Sequence, residues 1–280
     1  MDTIVPVLLL PEHVRPNSSS LPILKAIQRV LNESYTTTYC AHPEIFGTSH
    51  VRMADPAQLA DIIGTEGFTI VLVRVTSAGA GQKRQFCEVV ATGSVKDFGE
   101  GDVETYAQWS KNLSGTQWAT KVGNQERSRA TTERSKEGAQ KLEVTAFGVS
   151  PHYQARGLGA RLLNEIKWLV TGRRLQRITT NAVPIAEGLG LSDSASTFPL
   201  EGIDLNRLKY AMTSAETSKS DQVVQDTAKP KLVLMAIREL GNETYYQKRG
   251  FRTVWSGRVP VGMWDCRKDC TMVYMEMDLD

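Results

Sequence analysis

One stretch of the 280-residue chain concentrates residue types suited to holding an anion. Val149-Ser-Pro-His-Tyr-Gln154-Ala-Arg156-Gly157-Leu-Gly159-Ala160 leaves an apolar run, turns through two glycines and opens into an amphipathic pattern. A strand-to-helix turn of that kind aims successive backbone N–H groups at one spot, which suits a phosphate or diphosphate. Gly157 and Gly159 leave room for close approach, and Gln154 and Arg156 add side-chain donors. A Walker loop ends in Gly-Lys-Ser/Thr, whereas this turn runs on as Gly-Ala-Arg. A Rossmann fingerprint needs a third glycine at position 162, where leucine stands.

The pattern that does match is Gln/Arg-x-x-Gly-x-Gly/Ala after a strand ending Val-x-Pro. A second segment accompanies it, Asn242-Glu-Thr-Tyr-Tyr246-Gln-Lys-Arg-Gly250-Phe251. Together they resemble the GNAT superfamily of acetyl-CoA-dependent N-acetyltransferases, whose late helix reads Asn…Tyr-x-x-x-Gly-Phe. The resemblance implies an α/β (α+β) fold, a mixed central sheet of about seven strands flanked by helices, with splayed fourth and fifth strands. It implies acetyl-CoA as cosubstrate, with the pantetheine arm between the splayed strands against the main chain of Phe147, Gly148 and Val149. Gln154, Ala155, Arg156, Gly157, Leu158, Gly159 and Ala160 then hold the pyrophosphate, and Asn242 and Tyr246 face the thioester.

Transfer to an amine needs a neutral nucleophile, a polarised carbonyl and a proton for the departing thiolate. Tyr246 matches the family's general-acid position, while Tyr245 would point to another helix face. Glu143 has the offset from Gln154 of the general base in the histone-acetylating branch; a surface or salt-bridged glutamate is the alternative. Period-two alternation puts Glu143 on one face with Thr145, Phe147 and Val149, unless a bulge breaks the parity. His152 precedes the turn as a solvated loop residue, and no Gly-x-Ser-x-Gly elbow suggests a covalent intermediate.

These residues need elements to carry them. Ile4–Leu10 reads as a first strand, since Asp2 precedes it and no basic region frames it as a signal peptide. Leu24, Ile27, Val30 and Leu31 recur at helical spacing after Ser20, a candidate cap, and Pro22. Asp55-Pro56 reads as the cap and first residue of a second helix that stops at Gly64. Phe68–Val75 and Glu88–Val95 read as a hairpin and Lys141–Ser150 as the next strand, before a helix over Gly157–Val170. Lys231–Ile237, a helix over Asn242–Arg249, and the strands Phe251–Trp255 and Cys270–Met277 complete the order. The whole is expected as a single domain over residues 1–280 with polar insertions near 98–140 and 182–229, the second expected to cover the acceptor side.

Composition excludes some classes. Lys+Arg 33 against Asp+Glu 31 leaves a charge of +2, without the basic excess of a dedicated nucleic-acid binder. No apolar run approaches the ~20 residues that span a bilayer. Cys40, Cys87, Cys266 and Cys270 lack a disulfide framework or zinc spacing, and the four histidines do not cluster, so no metal is expected. Cytoplasm, or nucleus, is the expected compartment. The acceptor is expected to be a small-molecule amine; a protein lysine or N-terminus, or a silent acyl-CoA-binding module, are the alternatives.

Overall fold

The computed structural model describes residues 2–16, 20–47, 51–76, 86–98, 140–171, 198–199 and 229–279. Among these residues seven strands build one sheet: β1 (Asp2–Leu9), β2 (Phe68–Thr76), β3 (Phe86–Asp97), β4 (Lys141–Val149), β5 (Lys231–Ile237), β6 (Arg252–Val259) and β7 (Cys270–Asp278). Their order is β1-β2-β3-β4-β5-β7-β6, and a two-residue strand, Phe198–Pro199, adds to β3. Every pairing between them is antiparallel except β4 with β5. That parallel pairing covers only Lys141–Glu143 against Lys231–Val233. Beyond it the ladder between the two strands stops, so the sheet is mixed and splayed at its fourth and fifth strands, as expected.

Among the described residues four α-helices flank the sheet: α1 (Leu21–Ala41), α2 (Gln58–Ile63), α3 (Leu158–Thr171) and α4 (Asn242–Gln247). The apolar stripe of α1 (Leu24, Ile27, Val30, Leu31) packs with Leu59 and Ile63 of α2 on Val71, Val73 and Val89. On the other face, Leu162, Leu163, Ile166 and Leu169 of α3 are fully buried against Ile70, Leu72, Leu232 and Met275. This second core reaches from Leu8 of β1 to Met277 of β7, so α3 holds both halves of the sheet together where the β4–β5 ladder ends. Burial of each such aliphatic side chain contributes about 1.5–3 kcal/mol.

Some local expectations are corrected. Ser20 stands at the N-cap position of α1 but makes no side-chain cap; its hydroxyl donates to the Arg15 carbonyl at 2.7 Å. Asp55 and Pro56 form a turn ahead of α2, with the Asp55 carboxylate accepting from the Ala57 N–H at 2.8 Å, and the helix begins only at Gln58. Strand β6 runs on to Val259, well beyond the expected end at Trp255. The polar stretches 98–140 and 182–229 lie outside the described residues apart from Phe98, Gln140, Phe198, Pro199 and Lys229, and so does the expected acceptor-side cover.

Candidate functional site

Strand β4 carries an extra residue relative to β3. Ser94 pairs with Thr145 and Thr92 with Gly148, so two steps on β3 oppose three on β4. Ala146 absorbs the bulge at φ 43°, an uncommon conformation for a residue with a side chain. The parity expected for Glu143 is therefore overturned. Val144 packs in the α3 core and Ala146 in the α1 core, while Phe147 and Val149 return to the α3 side. Gly93 makes room for Phe147: a Cβ there would lie 2.9 Å from the phenyl ring. Gly148 faces α1, where its Cβ would meet Leu31 and Ser34 at 3.3 Å.

Glu143 thus lies on the opposite face from Phe147, at the last residue pair before the strands part. Register aligns Lys96, Glu143, Val233, Glu276 and Arg252 in one row across five strands. Glu143 is buried, 7% exposed, with Lys96 Nζ 3.3 Å from its carboxylate. Glu276, further along the row, meets Lys141 Nζ at 2.9 Å and accepts from the Tyr274 hydroxyl at 2.9 Å.

The anion turn follows β4. Ser150 N–H donates to Val90 O, and Tyr153 is sunk into the α3 core. The Tyr153 hydroxyl donates to Glu88 at 2.7 Å and accepts from Arg74, tying the turn to β2 and β3. Gln154 donates back to Val149 O at 3.2 Å, and the Arg156 guanidinium lies 5.2 Å from the Tyr153 ring centroid. Ala155 (φ 59°) and Gly157 (φ 77°) both take left-handed backbone, which turns the chain sharply into α3. The first helical bond is Arg161 N–H to Gly157 O. The N–H groups of residues 157–160 therefore precede the ladder, as at any helix start. No heavy atom lies within 4 Å of where a Gly157 Cβ would point. The turn is an open cradle with donors on its floor, a fit for a diphosphate. His152 is exposed beside it.

Facing the turn across the splay is α4. Glu243 in its first turn accepts from Arg238 Nε and from the Thr253 hydroxyl, each at 2.6 Å. These bonds, Arg238 first, hold its carboxyl below the usual carboxylate range. They clamp α4 between the end of β5 and β6. Asn242 opens the helix, half-buried. Tyr246 points into the gap, its ring edge-on to Phe147 with centroids 6.4 Å apart and 5.7 Å from Phe251. Burial, then the neighbouring phenols of Tyr35 and Tyr245, pushes the Tyr246 hydroxyl well above the ordinary tyrosine range. It stays a neutral proton donor. Among the described residues nothing hydrogen-bonds that hydroxyl.

Tyr245 points elsewhere, across to the second glycine of the turn; its hydroxyl is 2.6 Å from where a Gly159 Cβ would sit. Phe147, Gly148 and Val149, residues 154–160, and Tyr246 thus converge on the mouth and walls of the splay, while Glu143 stands at its apex on the α1 side. Sequence reasoning missed the Tyr153–Glu88–Arg74 anchor and the Lys96 partner of Glu143. The anchor's hydrogen bonds span 65 and 79 residues, and no local pattern records them. Among the described residues no group of three His, Cys, Asp or Glu gathers as metal ligands, and no helix is long and apolar enough to cross a membrane.

No family model and no curated protein matches the chain in sequence. Several solved structures resemble it in fold. Arabidopsis thaliana NAA60 in complex with a bisubstrate analogue matches at 10% identity and TM-score 0.43, covering 99% of this chain and 100% of that one. The ribosomal-protein-S18-alanine N-acetyltransferase of Escherichia coli matches at 11% identity and TM-score 0.39, with 100% and 95% covered. An N-acetyltransferase from Staphylococcus aureus Mu50 matches at 9% identity and TM-score 0.40, with 100% and 98% covered.

Proposed function

We propose that this chain is a GNAT N-acetyltransferase that moves the acetyl group of acetyl-CoA directly to a primary amine, with a small molecule as acceptor. One observation carries the reading. The β4–β5 splay opens between an anion cradle at the start of α3 and the neutral phenol of Tyr246. An extended acyl thioester with a diphosphate at its far end fits that arrangement from end to end. The diphosphate takes the residue 157–160 amides, with Gln154 and Arg156 beside it. The pantetheine arm runs along Phe147–Val149, and Asn242 and Tyr246 flank the thioester.

The chemistry follows from the proton inventory. An alkyl ammonium near pKa ~10 must lose a proton before it attacks, and a thiolate near ~8.5 must gain one as it leaves. The amine approaches from the α1 face, where Glu143 takes the proton. The N–C bond forms, the C–S bond breaks and the Tyr246 phenol protonates the sulfur; the second proton shed by the acylated nitrogen returns to the Tyr246 phenolate, and Glu143 passes its own to water. Lys96, 3.3 Å away, holds the Glu143 carboxylate in position. The reaction draws on the acetyl-CoA of the cytoplasm or nucleus.

The test is release of free thiol from acetyl-CoA across a panel of small amines and lysine or N-terminal peptides. Acceptor-dependent release with a small amine is the expected result. Stabilisation by acetyl-CoA without release on any acceptor would leave a binding module instead.

A further inference from the structure

We propose that Tyr245 is a coenzyme-binding residue whose hydroxyl donates to the diphosphate of acetyl-CoA at the mouth of the splay, a role separate from that of its neighbour Tyr246. The inference rests on the acetyl-CoA reading above and adds a contact to it. The two tyrosines lie edge to face at 88°, with centroids 5.1 Å apart, so one reaches into the gap while the other crosses its entrance. The Tyr245 hydroxyl lies 2.6 Å from the Cβ position of Gly159, against the first turn of α3 whose amides form the cradle. The phenol thus borders the first turn of α3 from the α4 side, beside the cradle.

Tyr245 is held there. The Arg249 guanidinium carbon lies 3.5 Å from the ring centroid, and Arg249 Nη1 donates to the Tyr245 carbonyl at 2.7 Å. Arg249 is itself fixed, with its own carbonyl accepting from Lys167 Nζ on α3 at 2.8 Å. Among the described residues Arg249 Nε is buried without a hydrogen-bond partner, and the guanidinium adds positive potential behind the ring. Burial raises the Tyr245 hydroxyl above its ordinary range against a smaller pull from Arg249, so it remains a donor at neutral pH. The same contact explains Gly159 in physical terms: a methyl there would displace the hydroxyl, whereas without the oxygen the nearest ring carbon would stand at 3.7 Å.

The experiment compares the full-length chain with its Tyr245→Phe variant on acetyl-CoA and on acetyl-pantetheine, which lacks the diphosphate. Losing a hydrogen bond to a charged group weakens binding roughly ten- to hundredfold. Tyr245→Phe is expected to raise the acetyl-CoA Kd and KM by that factor while kcat and the acetyl-pantetheine KM stay unchanged. Gly159→Ala, as a second variant, is expected to weaken acetyl-CoA binding in the parent chain but add little to Tyr245→Phe, because both disturb one contact. Unchanged acetyl-CoA affinity in Tyr245→Phe, an equal loss on both substrates, or fully additive losses in the double variant would overturn the proposal alone. A parent chain that never binds acetyl-CoA would overturn it together with the functional reading.

Discussion

Valine at position 157 meets two separate penalties, one in folding and one in binding. The position has φ 77°, and a Cβ would point into space with no heavy atom within 4 Å. The folding penalty is therefore conformational strain rather than a clash, about 1–2 kcal/mol for left-handed backbone, with a β-branched residue at the upper end. For a domain of roughly this size each kcal/mol moves Tm by about 2–4 °C, so a loss of about 2–8 °C is expected. The binding penalty arises because the isopropyl group fills the cradle. Acetyl-CoA at 100 times its Kd stabilises the parent chain by ~2.7 kcal/mol; if valine weakens binding a hundredfold, the same concentration gives only ~0.4 kcal/mol. The thermal shift thus collapses from several degrees to about one. Gly64→Val is the control, at φ 64° in equally open space but at the end of α2, which carries no residue of the site. It should lose Tm to a similar or greater extent yet keep the full acetyl-CoA shift. Equal acetyl-CoA shifts in both variants would refute the assignment of the cradle to the diphosphate.

Tyr246→Phe should lower kcat by about 10²–10⁴ with little change in acetyl-CoA Kd, since the ring contacts with Phe147 and Phe251 persist and only the proton donor goes; unchanged turnover when chemistry limits the rate would leave Tyr246 a packing residue. Glu143→Gln should cut turnover and flatten the acidic limb of the kcat/KM profile while acetyl-CoA still binds, and a variant that keeps both rate and profile would make the Lys96 pair purely structural. The clamp at Glu243 gives a stability test with a defined sign. Its folded pKa is depressed, so its contribution is complete above the unfolded value of about 4.3 and is lost as pH falls through the lower folded value. The urea midpoint gap between the parent and Glu243→Gln should shrink across that acid window, whereas a pH-independent gap would count against the clamp.

The parts of the site that were legible in sequence are those written locally. Two glycines ahead of a strong 3.6-residue apolar period announce the turn and α3, and Tyr246 keeps its spacing to Gly250-Phe251 within one short helix. The β4 bulge was not legible. Gly148 looks like the residue that would accept irregular backbone, yet Ala146 takes φ 43° because Gly148 is needed where α1 crosses at Leu31 and Ser34. That competition is tertiary and leaves no trace in period-two patterning. The end of β6 was misread for a related reason: its residues alternate between exposed and half-buried, so hydrophobicity fades although the ladder to β7 continues to Val259. Lys96 opposite Glu143 follows only from register, which the sequence specifies through the whole sheet rather than through either residue.

The splay also bears on how the chain avoids sticking to itself. Wherever a ladder stops, a strand shows bare N–H and C=O groups that invite another chain to add on, and proteins usually blunt such edges with charge, proline or a short strand. Here the parting of β4 and β5 creates two bare edges in the middle of a sheet, over Val144–Val149 and Leu234–Ile237, and both stretches are largely apolar. Their protection is positional. Each edge looks across the gap at the other, with α3 bridging one face and the Tyr246 and Phe147 rings set inside. A foreign β-strand would have to bring its own side chains past those rings, whereas a slender thread with one or two amide groups would not. An edge that would invite aggregation at the rim of the sheet becomes, at its centre, a slot selective for thin guests.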